Sequence, residues 1–115
     1  MMTEMINIER RNKVDIITFS VNKINVTTIE EIKEGVSRVF DNPNAKVIID
    51  LKGVEYIDSS GFALFLSLHK AARSSFGVLK FSNPGERVCE LFHALHLHTV
   101  FEIYDDLEAC IRSFR

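Results

Sequence analysis

The stretch AKVIIDL, at positions 45–51, most constrains what this chain can fold into. Val47, Ile48 and Ile49 are consecutive and β-branched, so a strand here is apolar on both faces however it is turned. Such a strand has to be covered on both sides, as in the interior of a parallel sheet flanked by helices. VLKFS (78–82) and VFEIY (100–104) read as further short strands. Between and after the strands, apolar residues recur at helical spacing: Ile29, Ile32, Val36, Val39 and Phe40, then the run from Gly61 to Ser74, then Val88, Leu91, Phe92 and Leu95. DDLEACIRSF (105–114) closes the chain as a last helix, its acids at the positive end. Ahead of all these, Met5, Ile6 and Ile8, a turn at Arg11-Asn12-Lys13, and VDIITFSV (14–21) read as a β-hairpin. Strand–helix repetition predicts an α/β fold with right-handed crossovers: a mixed, mostly parallel sheet of about five strands with an N-terminal hairpin, and about four helices.

Boundary signals sharpen this outline. Thr27 with Glu30 and Thr28 with Glu31 form overlapping capping boxes ahead of the first helix. That helix is predicted to end near Asp41-Asn42-Pro43, because the residue before a proline avoids the helical region. KGVEYID (52–58) reads as a loop, and Pro84 suits the first turn of the third helix.

At 115 residues the chain fits one domain, 1–115, large enough to hold a core without a disulfide or metal staple. The net charge of -2 argues against a nucleic-acid-binding module, which needs a clustered basic face. Arg10, Arg11 and Lys13 are the one basic cluster, and they fall in the hairpin turn. No apolar run reaches the length of a bilayer span, and MMTEMINIERR lacks the pattern of a secretory leader. These features predict a cytoplasmic protein with no direct membrane insertion, in which Cys89 and Cys110 are reduced thiols.

Asp58-Ser59-Ser60-Gly61 stands at the mouth of the most apolar helix. Either Asp58 or Ser59 caps that helix start. Ser60 then falls in the first turn, its hydroxyl turned to solvent, where the exposed amides tolerate an anion. A phosphate on Ser60 would add about -1.5 to -2 charges beside Asp58, which a partner could read. A bare helix cap with an unused second serine is the plainer alternative. A serine hydrolase is the third, but no Gly-x-Ser-x-Gly elbow surrounds either serine, and no phosphate-binding Gly-Lys-Ser/Thr loop occurs. Phe62, in the same turn, is the aromatic expected at the surface as a partner anchor. The rest of its apolar run is assigned mainly to the core. Cys89, His93 and His96, spaced i, i+4, i+7, are weak metal candidates; a half-buried polar stripe near a helix end accounts for them equally well.

VIIDLKGVEYIDSSGFALFLSLHKAA (47–72) resembles the signature of the STAS domain, in particular that of bacterial anti-sigma factor antagonists. Asp50-Leu51, Tyr56, Asp58, Ser59, Ser60 and Gly61 carry the likeness. FSNPGERVCELFHALHLHTVFEIYDDLEACI (81–111) resembles the family's strand, its helix ending in a Leu-Phe pair, and its closing strand followed by acids. The resemblance implies a binding protein rather than an enzyme, with no cofactor of its own. Its expected partner is an anti-sigma factor that is also a serine kinase of GHKL type. That kinase binds the unmodified protein and uses its own ATP and magnesium to phosphorylate Ser60, with Ser59 the lesser candidate; the modified protein lets go. A PP2C-type phosphatase is expected to restore it. Asn25, Asp58, Ser59, Gly61 and Phe62 are the expected partner contacts. Asn22 and Asn25 replace the family's usual glycine and aspartate, and Phe62-Ala63 replaces Leu-Gly. The same domain also serves as a structural subunit of membrane lipid-transport complexes or sensory scaffolds, where serine phosphorylation is not required.

Overall fold

Asn12 and Lys13 both have positive φ, 52° and 67°. This is the two-residue turn whose twist suits a β-hairpin, and it joins β1 (Ile6–Arg11) to β2 (Val14–Phe19), antiparallel with Arg11 opposite Val14. The computed structural model describes residues 4–114. After the hairpin come β3 (Lys23–Ile24), α1 (Ile29–Val36), β4 (Lys46–Asp50), β5 (Tyr56–Ile57), α2 (Ser59–Ser74), β6 (Val78–Ser82), α3 (Glu86–Ala94), a 3-10 turn (Leu97–Thr99), β7 (Glu102–Tyr104) and α4 (Leu107–Arg112). Five strands form one sheet in the order β1-β2-β4-β6-β7, antiparallel only at the hairpin. The β-branched run of β4 lies at its centre, and Val47, Ile48 and Ile49 are fully buried. The predicted α/β class and mixed sheet are therefore the observed ones.

The two faces of the sheet are covered unequally. Ile17, Val47, Ile49, Leu79 and Phe81 meet α1, α2 and α3 through Ile32, Val36, Phe65, Val88 and Phe92. On the other face Val14, Ile16 and Ile48 meet only Cys110 and Ile111 of α4, with Tyr104, Leu107 and Phe114 at the margin. Burial pushes the Cys110 thiol up to about 12. Lys80, 7% exposed, ties down this thinner layer. Its ammonium donates to Ser113 Oγ (2.9 Å), pairs with Glu102 (3.1 Å) and lies 4.4 Å from the centre of the Phe114 ring.

Several boundaries differ from those predicted. β3 and β5 pair in parallel as a separate two-stranded sheet, so the expected loop 52–58 contains a strand. The Thr28 hydroxyl makes no cap bond to α1; it accepts from the Asn25 amide (3.0 Å) and donates to the Lys23 carbonyl (3.1 Å). Neither capping box forms. α1 stops at Val36, five residues before Asp41, and Phe40 reaches the core from the turns that follow. Gly85, not Pro84, precedes the first residue of α3. Asp106 does cap α4, accepting from Ala109 N at 2.8 Å.

The exit from α2 is unusual. Gly77 N donates to Ala72 O (2.8 Å) and Phe76 N to Arg73 O (3.4 Å), the pair of bonds that ends many helices with a left-handed residue. That residue is normally glycine. Here it is Phe76, at φ 59°, a conformation that costs a side-chain-bearing residue about 1–2 kcal/mol. Glycine is required one place later for a different reason: a Cβ on Gly77 would lie 2.8 Å from the Ala45 carbonyl oxygen.

Candidate functional site

The local sequence gives α2 a start that no other residue here could supply as well. Asp58 is extended (φ -94°, ψ -174°), the backbone of a helix cap, and its short carboxylate reaches the first free amides. Oδ1 accepts from Ser60 N (2.9 Å) and, at 3.4 Å, from Gly61 N. The same oxygen accepts the Ser60 hydroxyl at 2.5 Å. Oδ2 accepts from Val26 N at 3.2 Å, so one side chain joins the helix start to the loop after β3. The Ser60 hydroxyl is the largest influence and holds the Asp58 carboxyl below its ordinary value; desolvation, the second, opposes it, and the amides of Gly61, Ser60 and Val26 add to the lowering.

Of the two candidate caps, Asp58 is the one used. Ser59, the first helical residue, is exposed. Ser60 is half-buried, and its hydroxyl is drawn back onto Asp58 instead of pointing freely outward. The carboxylate engages the hydroxyl hydrogen and leaves the oxygen lone pairs uncommitted to that bond. No histidine forms a hydrogen bond with Ser60 or Asp58 among the described residues. A carboxylate held in its charged form is a weak base, so the pair orients the hydroxyl without making it a strong nucleophile. An incoming phosphoryl group would have to bring its own activation.

Asn25 lies beside this site. Its Oδ1 accepts from both the amide (3.0 Å) and the hydroxyl (2.6 Å) of Thr27, folding the loop so that Val26 N faces Asp58. Val26 itself is 76% exposed, an apolar side chain next to Ser60 that the sequence pattern did not single out. Gly61 is buried where α2 crosses the two-stranded sheet. A Cβ there would meet Ile57 Cγ2 at 2.6 Å and Ile24 Cγ2 at 2.9 Å. The close approach belongs to this glycine, whereas Ala63 points to solvent.

Phe62 is not at the surface. It is 5% exposed and packs edge-on against Phe65 and Phe92, with ring centres 6.3 and 5.4 Å apart. One helical position turns a side chain by about 100°, so residue 62 enters the core while its neighbour Ala63 faces outward with Ser59, and Phe62 offers a partner no surface. The outward face of α2 is Ser59, Ala63, Leu66, Ser67 and Lys70. The shared face expected for Cys89, His93 and His96 also fails. α3 ends at Ala94 and His96 takes a left-handed backbone, so His93 stacks on His98 instead, with ring centres 3.9 Å apart. Among the described residues no three metal-ligating side chains converge.

A cleft of 640 Å³ opens beside the two-stranded sheet, lined by Lys23, Tyr56, Glu86 and Arg87 among others. The Arg87 guanidinium lies 5.9 Å from the Tyr56 ring centre. Neither serine lines this cleft, and its positive and negative side chains balance.

The sequence model of the STAS domain matches residues 5–110. The anti-sigma-B factor antagonist of Bacillus subtilis is 29% identical over 99 residues, covering 85% of this chain and 90% of that protein. Among solved structures, an anti-sigma-factor antagonist (STAS) domain protein from Planctomyces limnophilus superposes with a TM-score of 0.89 at 22% identity, covering 94% of this chain and 96% of the other. The Bacillus cell fate determinant SpoIIAA in its phosphorylated form gives 0.71 at 19% identity, covering 96% and 99%.

Proposed function

The chain belongs to the STAS domain family, and from that premise we propose that it is an anti-sigma factor antagonist whose binding is controlled by a phosphate on Ser60. The protein is a binding partner, not an enzyme, and works in the cytoplasm. Unmodified, it engages an anti-sigma factor that is also a GHKL-type kinase; phosphorylated, it is released, and a PP2C-type phosphatase resets it. The observation that carries this reading is the Ser60 hydroxyl, held 2.5 Å from Asp58 in the first turn of a 16-residue helix. The site accommodates the modification. A phosphate takes the place of the hydroxyl proton, so the bond to Asp58 is lost and two anionic groups face one another. The helix start offsets part of that repulsion, so the fold survives while the surface charge changes. Asn25, Ser59 and the exposed Val26 flank the serine and form the contact rim, with Asp58 positioning the hydroxyl. Buried Gly61 holds α2 against that rim and makes no contact itself. The antagonist named among the relatives supports the same class of partner.

The test is a pull-down from native-host lysate with wild type, Ser60→Ala and Ser60→Asp as baits, followed by incubation of the recovered kinase with Mg-ATP. A GHKL-type kinase is expected with the first two baits and not the third, and mass spectrometry should place the phosphate on residue 60. Equal recovery by all three, or an ABC ATPase in its place, would make this chain a scaffold subunit whose serines only cap a helix.

A further inference from the structure

We propose that the end of the molecule opposite Ser60 is a docking surface for an anionic phospholipid bilayer, with Phe76 as its anchor. Two independent observations meet there. The first is Phe76 itself, 82% exposed and held at φ 59° in the helix-exit position where glycine is usual. An aromatic side chain in that place gives up backbone comfort and gains no packing in return, and such a breach of a local rule is characteristic of functional positions. The second is charge. The start of β4 and the β1–β2 turn border a cleft of 350 Å³ lined by Arg10, Lys13 and Lys46, with Asp15 the one acid. Arg10 and Asp15 make a long pair at 3.9 Å, which leaves the cleft with a cationic excess on a chain of net charge -2.

The two features form one surface. Asn44 N donates to Ser75 O (3.0 Å) and Val78 N to Ala45 O (2.8 Å), laying the Phe76 loop against the rim of the cleft. Lys46 is the register partner of Val78, which is 40% exposed, so a cationic and an apolar side chain stand side by side at this end of the sheet. An aromatic at the headgroup level flanked by cations is the pattern of a peripheral contact with an acidic leaflet, and it needs no spanning segment. Each cation near such a leaflet adds roughly fivefold to partitioning, so the contact is reversible and sensitive to salt.

The chain contains no tryptophan, so Phe76→Trp supplies a single fluorescent reporter at the anchor. With vesicles of mixed phosphatidylglycerol and phosphatidylcholine, its emission should move to the blue and the protein should co-sediment. Both responses should vanish with pure phosphatidylcholine and at high salt. Lys13→Glu combined with Lys46→Glu should lower partitioning by more than about 25-fold. Phe76→Gly should lose sedimentation while its melting temperature stays equal or rises, which separates a docking role from a folding role. The proposal is overturned if wild type does not sediment, if it sediments equally with neutral vesicles, or if Phe76→Gly behaves as wild type. It is equally overturned if free inorganic phosphate binds the cleft but vesicles do not, or if Phe76→Gly only breaks a dimer formed without lipid.

Discussion

Replacing Asp58 with alanine removes the acceptor of four hydrogen bonds, from Ser60 N, Ser60 Oγ, Gly61 N and Val26 N. Loss of a helix cap of this kind is expected to cost about 1–2 kcal/mol at neutral pH, measured by urea unfolding. The carboxyl is held below its ordinary value in the folded protein. Its contribution is therefore complete above the unfolded pKa of about 3.9 and fades as the pH falls through the lower folded value. The stability gap between wild type and Asp58→Ala should accordingly narrow in acid. A gap that stays constant down the titration would mean the carboxylate charge is not what holds the helix start. At this scale the helix start itself is legible in Asp58-Ser59-Ser60-Gly61, but the pattern leaves the cap open between Asp58 and Ser59 and turns the Ser60 hydroxyl outward, whereas it bonds Asp58. The bond to Val26 is not legible, since it spans 32 positions. Nor is the burial of Phe62, which depends on one residue's rotation about an axis that only packing fixes.

Element packing turns on Gly61. α2 lies so close to Ile24 and Ile57 that an added methyl has no room, and both neighbours are β-branched side chains with little freedom to move away. Gly61→Ala should lower stability by about 1–3 kcal/mol despite alanine's better helix propensity. An unfolding midpoint equal to or above wild type would show that the crossing relaxes. The long elements are legible in the residue pattern: β4 because its apolar residues run three in a row, β6 because VLKFS coincides with Val78–Ser82, and α4 because its acids stand where the cap is. The two-residue strands β3 and β5 are not, since neither is long enough to show a period; only their pairing identifies them. The capping boxes before α1 mislead because threonine has a choice of local partners, and here the hydroxyl of Thr28 turns back to the chain before the helix.

Across the whole molecule, α2 acts as a spacer. Its 16 residues separate the Ser60 end from the Phe76 end by about 24 Å. Sites that far apart, with no shared side-chain partners, act independently. Ser60→Asp should therefore leave vesicle partitioning within about twofold of wild type, and Phe76→Gly should leave kinase recovery unchanged; cross-talk in either direction would require a path through the core that the packing does not suggest. The five-stranded sheet carries a different consequence in its margins. β1 and β7 are its two outer strands. β7 is only three residues long, and β1 exposes Asn7, Glu9 and Arg10 around a single apolar Ile8 along INIERR. A short edge on one side and a charged one on the other give an incoming strand little to extend. These margins keep free copies of the chain from adding strand to strand and growing into fibrils.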